Sequence, residues 1–186
     1  MEKKERLDHT NMPSAIKDDT LEVLDVSVKQ VEVIADHFDF PVGKPEGIGY
    51  YNAQSFGENN HLGDDWNGTG GGNTDLGDAI YAIANGKVAF AEDIGGGWGN
   101  VIRIHHVLED GHKVESLYAH CDTILVATSD TVSIGQKIGT IGTAHGLYYA
   151  HLHFEIRENI HMPIGGGYSQ NTAGYVDPTE FIRTHR

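Results

Sequence analysis

The stretch that decides the fold is YYAHLHFEI, residues 148–156, in which two histidines stand one residue apart in an apolar and aromatic run. Side chains at positions i and i+2 of a β-strand point to the same face, so His151 and His153 present two imidazoles side by side. Leu152 then points the other way, into the core. The pattern predicts a strand that carries a functional pair on one face.

The segments on either side of this stretch also predict strands. From Phe38 onward, short runs rich in Val, Ile, Tyr and Phe alternate with Gly, Asn and Asp. Asn85-Gly86 lies between two apolar runs and predicts a β-hairpin with a type I′ turn. Residues 21–35 fit a strand and a helix equally well. We expect a mainly all-β protein, a compact antiparallel β-sheet domain over residues 37–186, preceded by an arm or extension over residues 1–36 that holds a short helix or strand.

Composition excludes several classes of function. The chain has 186 residues and a formal net charge of −14, which argues against binding to nucleic acid or to an anionic membrane through a basic patch. No apolar run approaches the roughly 18 residues of a membrane span, and no apolar signal-peptide segment follows the basic start. A single cysteine, Cys121, excludes an internal disulfide.

A second cluster of polar residues, HLGDD, supplies partners for the histidine pair. His61 and Asp65 are separated by Gly63, which lets the backbone turn tightly enough for both to reach one ion. Asp64 competes with Asp65 for this role. A further histidine, His120, ends the strand VESLYAH.

Zinc accepts both imidazole and carboxylate ligands, and a catalytic zinc site has three protein ligands and an open water position. One cysteine cannot build the usual closed structural site. Five candidate groups exceed three ligands, so two histidines remain for acid and base chemistry. The opposing interpretation is coincidence, because the chain carries 12 histidines. We assign six of them to loops or surface and leave His106 open between packing and catalysis; the six are His9, His37, His112, His145, His161 and His185.

The order of these elements resembles that of the lysostaphin-type, or LytM-type, zinc endopeptidases of bacterial cell walls. The resemblance covers roughly residues 38–183 and rests on matched motifs along the chain. These are FDFPVG, HLGDD, GDAIYAIANGKV, GGGWGNVIRIHH, YAH, VSIGQKIGTIG, HLHFEIR and VDPTEFI.

The resemblance implies a Zn²⁺ cofactor, a narrow active-site groove, and a role for each candidate. His61, Asp65 and His153 fall on the positions of the zinc ligands, and His120 and His151 on the catalytic positions. The implied reaction is hydrolysis of peptide bonds, with peptidoglycan or a peptide as substrate, and the implied location is extracytoplasmic: periplasmic, cell-surface or secreted.

Two departures from the family's pattern lie near the first ligands. The glycine-rich segment over residues 66–76 is longer than usual and is either a flexible surface loop or a groove wall that selects substrate. Some relatives carry a tyrosine where this chain has Ser55, and Tyr50 or Tyr51 is the candidate substitute.

Three alternatives remain beside the peptidoglycan enzyme. One is a zinc endopeptidase that acts on glycine-rich proteins. Another is a non-catalytic LytM-like module that binds or regulates cell-wall enzymes. A third is a carrier module, because VSIGQKIGTIG resembles lipoyl and biotinyl domains, although Lys137 lies inside the turn motif that both classes share.

Overall fold

The computed structural model describes residues 32–186 of the chain. Most of the segment 21–35, for which the sequence predicts a strand or a helix, lies outside these residues. Within the described part, no helix is long and apolar enough to cross a membrane.

Ten short strands and one terminal helix form the described part. The strands are β1 Tyr50–Gln54, β2 Asp64–Gly68, β3 Ala79–Tyr81, β4 Gly86–Asp93, β5 Asn100–Val107, β6 Lys113–Cys121, β7 Thr131–Val132, β8 Lys137–Thr140, β9 Leu152–Arg157 and β10 Tyr175–Val176. Helix α1, Pro178–Thr184, begins at Asp177, whose side chain accepts a hydrogen bond from the backbone N–H of Glu180. A short 3₁₀ helix, Glu58–Asn60, and a wide irregular turn, Gly43–Gly47, complete the set.

The strands form one large and one small antiparallel sheet, which confirms the predicted fold class. The large sheet has the order β1-β2-β9-β6-β5-β4-β7, and β10 pairs with β9. The small sheet pairs β3 with β8. Strand β9 therefore lies between β2 and β6, although 83 residues of sequence separate its start from the end of β2 at Gly68 and about 30 separate it from β6.

Strand β9 is buried on both of its faces. Leu152, Phe154 and Ile156 belong to the main hydrophobic core, as the alternation predicts for Leu152. The other face carries polar side chains beside a small apolar cluster formed by Val101, Leu117 and Ala119. An apolar strand can hold polar groups here because a second layer of loops covers that face.

The predicted hairpin at Asn85-Gly86 is wrong. Strand β3 pairs with β8, and β4 pairs with β5 and β7, so the two runs beside the dipeptide do not pair with each other. The Asn85 side chain instead donates to the carbonyl of Ile34 and accepts from the N–H of Ile134. Those long-range hydrogen bonds hold Asn85 as a link between segments, which the local turn signal does not reveal.

His106, whose role the sequence leaves open, is a packed core residue. Its Nδ1 donates to the carbonyl of Asn85 at 2.8 Å, and its Nε2 lies 2.7 Å from the Ser116 hydroxyl. Burial lowers the pKa of His106 to about 4, so the ring is neutral and Nε2 accepts the serine proton. The Tyr118 hydroxyl, 3.0 Å from Ser116, extends this chain of hydrogen bonds.

Candidate active site

Three polar side chains converge where β2 lies beside β9. Asp65 of β2 stands directly opposite His153 of β9 in the antiparallel register. His61 precedes β2 and reaches the same point from an extended segment that bridges to Tyr168. Two neighbouring strands and one adjoining segment thus bring together donors that are up to 92 residues apart in the sequence.

Gly63 is required here for a different reason than the sequence predicts. Its backbone does not adopt the left-handed conformation of a tight turn. A Cβ at this position would lie 2.4 Å from the Phe154 carbonyl oxygen and 2.9 Å from Cγ of Glu155. The glycine therefore lets the segment of His61 approach β9 closely.

The spacing of the three donor atoms is close to that of a tetrahedral zinc site. His61 Nε2 lies 2.9 Å from His153 Nδ1 and 3.3 Å from Asp65 Oδ1, and His153 Nδ1 lies 3.0 Å from Asp65 Oδ1. Ligand atoms about 2.0–2.2 Å from a tetrahedral zinc ion stand about 3.3 Å from one another. The three residues also form a group that could hold one metal ion by their mutual distances.

The hydrogen-bond pattern also favours a cation at this point. His153 Nε2 donates to Glu155 at 3.0 Å, so in the neutral ring Nδ1 is an acceptor that faces the acceptor oxygen of Asp65. Burial opposes the charged imidazole, but the bonds to Asp65 and Glu155 prevail and raise the pKa of His153 to about 9. A proton or a metal ion must therefore occupy the space between these atoms.

Asp65 is ionised and Asp64 faces away from the site. Burial favours the neutral form of Asp65, but hydrogen bonds from His153 and His61 hold its pKa well below its ordinary value. Asp64, on the opposite face of β2, accepts from the Phe56 N–H and the Thr179 hydroxyl. The structure thus brings Asp65, and not Asp64, to the other donors.

His151 and His120 stand on the open side of the donor group. His151 Nδ1 lies 2.8 Å from the carbonyl of Tyr149, so this nitrogen carries the proton and Nε2, 3.9 Å from Asp65 Oδ1, is an acceptor in the neutral ring. The His120 ring centroid lies 4.7 Å from that of His151 and 5.6 Å from that of His153. All five predicted residues therefore lie in one cluster.

A left-handed backbone conformation, with φ of 62°, turns His120 toward this cluster. The preceding residue, Ala119, pairs with His153 in the sheet, so regular alternation would send His120 to the opposite face. Its Nδ1 lies 3.2 Å from the carbonyl of Trp98. Burial and the neighbouring histidines lower the pKa of His120 to about 3, so the ring is neutral. The next residue, Cys121, lies in the main core.

Two adjoining cavities form a groove across the donor group. One has a volume of about 420 Å³ and is lined by the donors Asp65 and His153 and by the histidines His120 and His151. The rest of its wall is formed by three aromatic residues and three glycines: Trp98, Tyr148, Tyr168, Gly97, Gly166 and Gly167. The other has a volume of about 850 Å³ and shares Asp65, Tyr148 and His151 with the first. The shared residues lie between them, so an extended chain in the groove would pass the donor group.

The glycine-rich segment 66–76 forms part of the second cavity's wall. Asn73 and Leu76 line that cavity, and Asn73 Oδ1 accepts from the N–H of Ala150 at 2.9 Å. The carboxylate of Asp75, itself buried, accepts from the N–H of Gly68 at 2.8 Å. These bonds tie the segment to the strands of the site, which favours the groove wall over the flexible loop.

Sequence reasoning missed the groups that support and flank the donors. Tyr148 and Tyr168 line the groove, whereas Tyr50 donates to Asp78 and does not. The sequence analysis also gave no role to Glu155 and Arg157, although both continue the i, i+2 series of His151 and His153 along β9. That periodicity was the available signal.

The β-sheet thus carries two histidines and one carboxylate that could hold one metal ion, with two more histidines beside them. The chain belongs to peptidase family M23, whose family model matches residues 64–165. This match covers more than half of the chain and includes four of the five clustered residues.

Curated relatives at the sequence level include a protein named as a lipoprotein and others named as murein hydrolase activators. The chain is 46% identical over 81 residues to Lipoprotein NlpD of Yersinia enterocolitica, an alignment that covers 44% of this chain and 78% of that protein. It is also 46% identical over 81 residues to Murein hydrolase activator NlpD of Escherichia coli (strain K12), an alignment that covers 44% of this chain and 20% of that protein.

Solved structures with the same fold include peptidases. The antimicrobial peptidase lysostaphin from Staphylococcus simulans is 25% identical with a TM-score of 0.57, and the match covers 81% of this chain and 56% of that one. A zinc-containing peptidase from Vibrio cholerae is 26% identical with a TM-score of 0.51, covering 66% and 37%.

Proposed function

We propose that this domain is a zinc-dependent endopeptidase that hydrolyses peptide bonds in the stem peptides or cross-bridges of peptidoglycan. The observation that carries the proposal is the convergence of His61 Nε2, His153 Nδ1 and Asp65 Oδ1 at zinc spacing on the floor of a groove. Both further histidines, His120 and His151, stand beside these donors.

His61, Asp65 and His153 would hold the ion. The chemistry that zinc supplies when bound is a water whose pKa falls to about 7 and a polarised peptide carbonyl. Three protein ligands would leave one position of the ion open to water, and Asp65 and His153 border the groove. The structural contribution of the protein is a rigid donor set, because two of the ligands belong to adjacent strands.

His151 serves as the general base. Its Nδ1–H is held by the Tyr149 carbonyl, which leaves the Nε2 lone pair free to accept a proton from the attacking water. His120 has the same tautomer, because its Nδ1 faces the carbonyl of Trp98. In its neutral form His120 therefore begins as an acceptor at Nε2, and the proton that His151 takes from the water can pass through this nitrogen to the leaving amine.

The peptidoglycan substrate rests on the comparisons. The relatives named above include murein hydrolase activators, and lysostaphin is described as an antimicrobial peptidase. The relative from Yersinia enterocolitica is named as a lipoprotein, which supports an extracytoplasmic location at the cell envelope. The groove suits an extended peptide because its two cavities meet at the donor group.

The test is digestion of purified peptidoglycan sacculi with the zinc-loaded protein, followed by mass spectrometry of the released peptides. We expect new peptide termini that disappear when a chelator removes zinc and return when zinc is restored. A His153→Ala variant serves as a control that should neither bind zinc nor cut. Absence of new termini with zinc shown to be bound would refute the proposed substrate.

A second candidate is activation of other murein hydrolases, and the 46% identity to named activators favours it. The two functions make different demands on the donor group. An activator should stimulate a murein hydrolase whether or not zinc is present, and His153→Ala should leave that stimulation intact. An endopeptidase should release peptides without any second enzyme.

A further inference from the structure

A buried ionic network extends from the donor group to a groove wall. It contains two glutamates, Glu115 and Glu155, and two arginines, Arg103 and Arg157. Three of the four, all but Arg103, have no exposed surface. Because burial of unpaired charge is costly, a balanced network of this kind implies that its members hold one another in fixed positions.

Arg157 is the residue of the network that contacts both the carboxylate beside His153 and the loop of the groove wall. Its Nε lies 2.7 Å from Glu155 Oε2, while the other oxygen of Glu155 accepts the Nε2–H of His153. The guanidinium thereby fixes the carboxylate that orients the imidazole. Nδ1 of that imidazole then faces the other two donors, Asp65 and His61.

The same guanidinium also binds two backbone carbonyls in the loop over residues 159–168. Its Nη1 donates to the carbonyl of Pro163 at 3.1 Å and its Nη2 to that of Ile164 at 2.7 Å. A few residues further on, Gly167 and Tyr168 line the cavity that contains His153. One planar fork therefore joins a donor residue to the groove wall, which a lysine could not reproduce.

Building on the proposed zinc site, we propose that Arg157 is a positioning residue that couples metal binding by His153 to the order of the 163–168 wall. Arg157 holds Glu155, which in turn holds the imidazole of His153. Its bonds to the carbonyls of Pro163 and Ile164 hold the loop. Loss of this guanidinium then affects zinc affinity and loop order together, whereas loss of the neighbouring guanidinium of Arg103 does not.

The test compares Arg157→Lys with Arg103→Lys in the full chain. Arg103 is a matched control because it binds Glu115 and the Met162 carbonyl but makes no bond to Glu155. Zinc affinity is measured by competition with a chromophoric chelator. Hydrogen exchange of residues 163–168 is measured with and without zinc, as a readout independent of activity.

We expect zinc to slow exchange over 163–168 in the wild-type protein. Arg157→Lys should bind zinc about 10–100-fold more weakly and lose this protection, while Arg103→Lys keeps both. Wild-type affinity in Arg157→Lys, or equal losses in both variants, would overturn the inference.

Should Arg157→Lys not fold, Glu155→Gln replaces the charged carboxylate between Arg157 and His153 by an amide of the same size. Weaker zinc binding supports the inference and unchanged binding overturns it. Absence of zinc binding by the wild-type protein would instead refute the proposed metal site itself.

Discussion

At the residue scale, the site depends on how the two nitrogens of His153 are used. Nε2 is fixed by Glu155 and Nδ1 faces Asp65 and His61, so the ring cannot rotate without breaking bonds on both sides. This arrangement matches the general rule that a metal-binding histidine donates its other N–H to a carboxylate or carbonyl. The pKa of about 9 for His153 shows how strongly the surrounding acceptors favour a positive charge at this position.

Asp65→Asn should abolish tight zinc binding, because it replaces the only carboxylate of the donor group. We expect zinc affinity to fall at least about 100-fold, with the fold retained, as measured by chelator competition and circular dichroism. The neighbouring variant Asp64→Asn is the control: it disturbs hydrogen bonds to Phe56 and Thr179 and should cost about 1–3 kcal/mol of stability while zinc affinity is unchanged. The reverse pattern would assign the ligand to Asp64.

His106 predicts a pH dependence of stability that is unrelated to the site. Its pKa is about 4 in the folded protein and 6.5 in an unfolded chain, so between these values the unfolded chain binds more protons. Stability is therefore lost as the pH falls from 6.5 to 4, by on the order of 3 kcal/mol from this residue. Denaturant unfolding of His106→Gln across this range should show a shallower decline than the wild-type protein. Parallel curves would contradict the account.

At the element scale, strand β9 combines core and site. Its odd-numbered residues, His153 to Arg157, face the site and the ionic network, and its even-numbered ones fill the main core. His151 lies directly before the strand. Because a strand alternates strictly, a slip of one residue in its pairing with β2 would send His153 into the core. The register Asp65 opposite His153 is thus as important as the identity of either residue.

Gly86→Ala tests the close approach of the start of β4 to β5, which replaces the predicted hairpin. An added Cβ would lie 2.6 Å from the His105 carbonyl oxygen and 2.7 Å from both His106 Nδ1 and Ile104 Cγ2. We expect a loss of about 1–3 kcal/mol in the free energy of unfolding, measured with denaturant. Gly166→Ala is the control, since its Cβ would meet nothing within 4 Å. Equal stability of the two variants would show that the close approach at Gly86 is misplaced.

Much of this arrangement could be predicted from periodicity and spacing, and some could not. The i, i+2 rule placed His151 and His153 on one face, and HLGDD supplied His61 and Asp65. The hairpin prediction failed because Asn85 is held by long-range hydrogen bonds, which no local pattern encodes. The turn of His120 toward the site depends on one left-handed residue, and sequence alone gives no reason to expect it there.

At the scale of the whole molecule, zinc binding should stabilise the entire sheet. The donors come from β9, β2 and the segment before β2, so the ion would link parts of the chain that are distant in sequence. Zinc at 1,000 times its Kd adds about 4 kcal/mol to the folded state. For a chain of this size that corresponds to a rise in Tm of about 8–16 °C.

Thermal unfolding with zinc, and again after chelation, measures this effect. The rise should reverse with the chelator and be absent in Asp65→Asn. A zinc-induced rise of the same size in that variant would place the stabilising ion elsewhere in the molecule.

The most direct test of the central claim, that the donor group and its two histidines form a hydrolytic site, compares the wild-type protein with His151→Ala, both loaded with zinc. Each is incubated with peptidoglycan sacculi, and the rate of appearance of new peptide amino termini is measured beside the zinc content. The account predicts one zinc per chain in both proteins and a rate lowered about 10²–10⁴-fold in the variant. Equal rates, or no cleavage by the zinc-loaded wild-type protein, would contradict it.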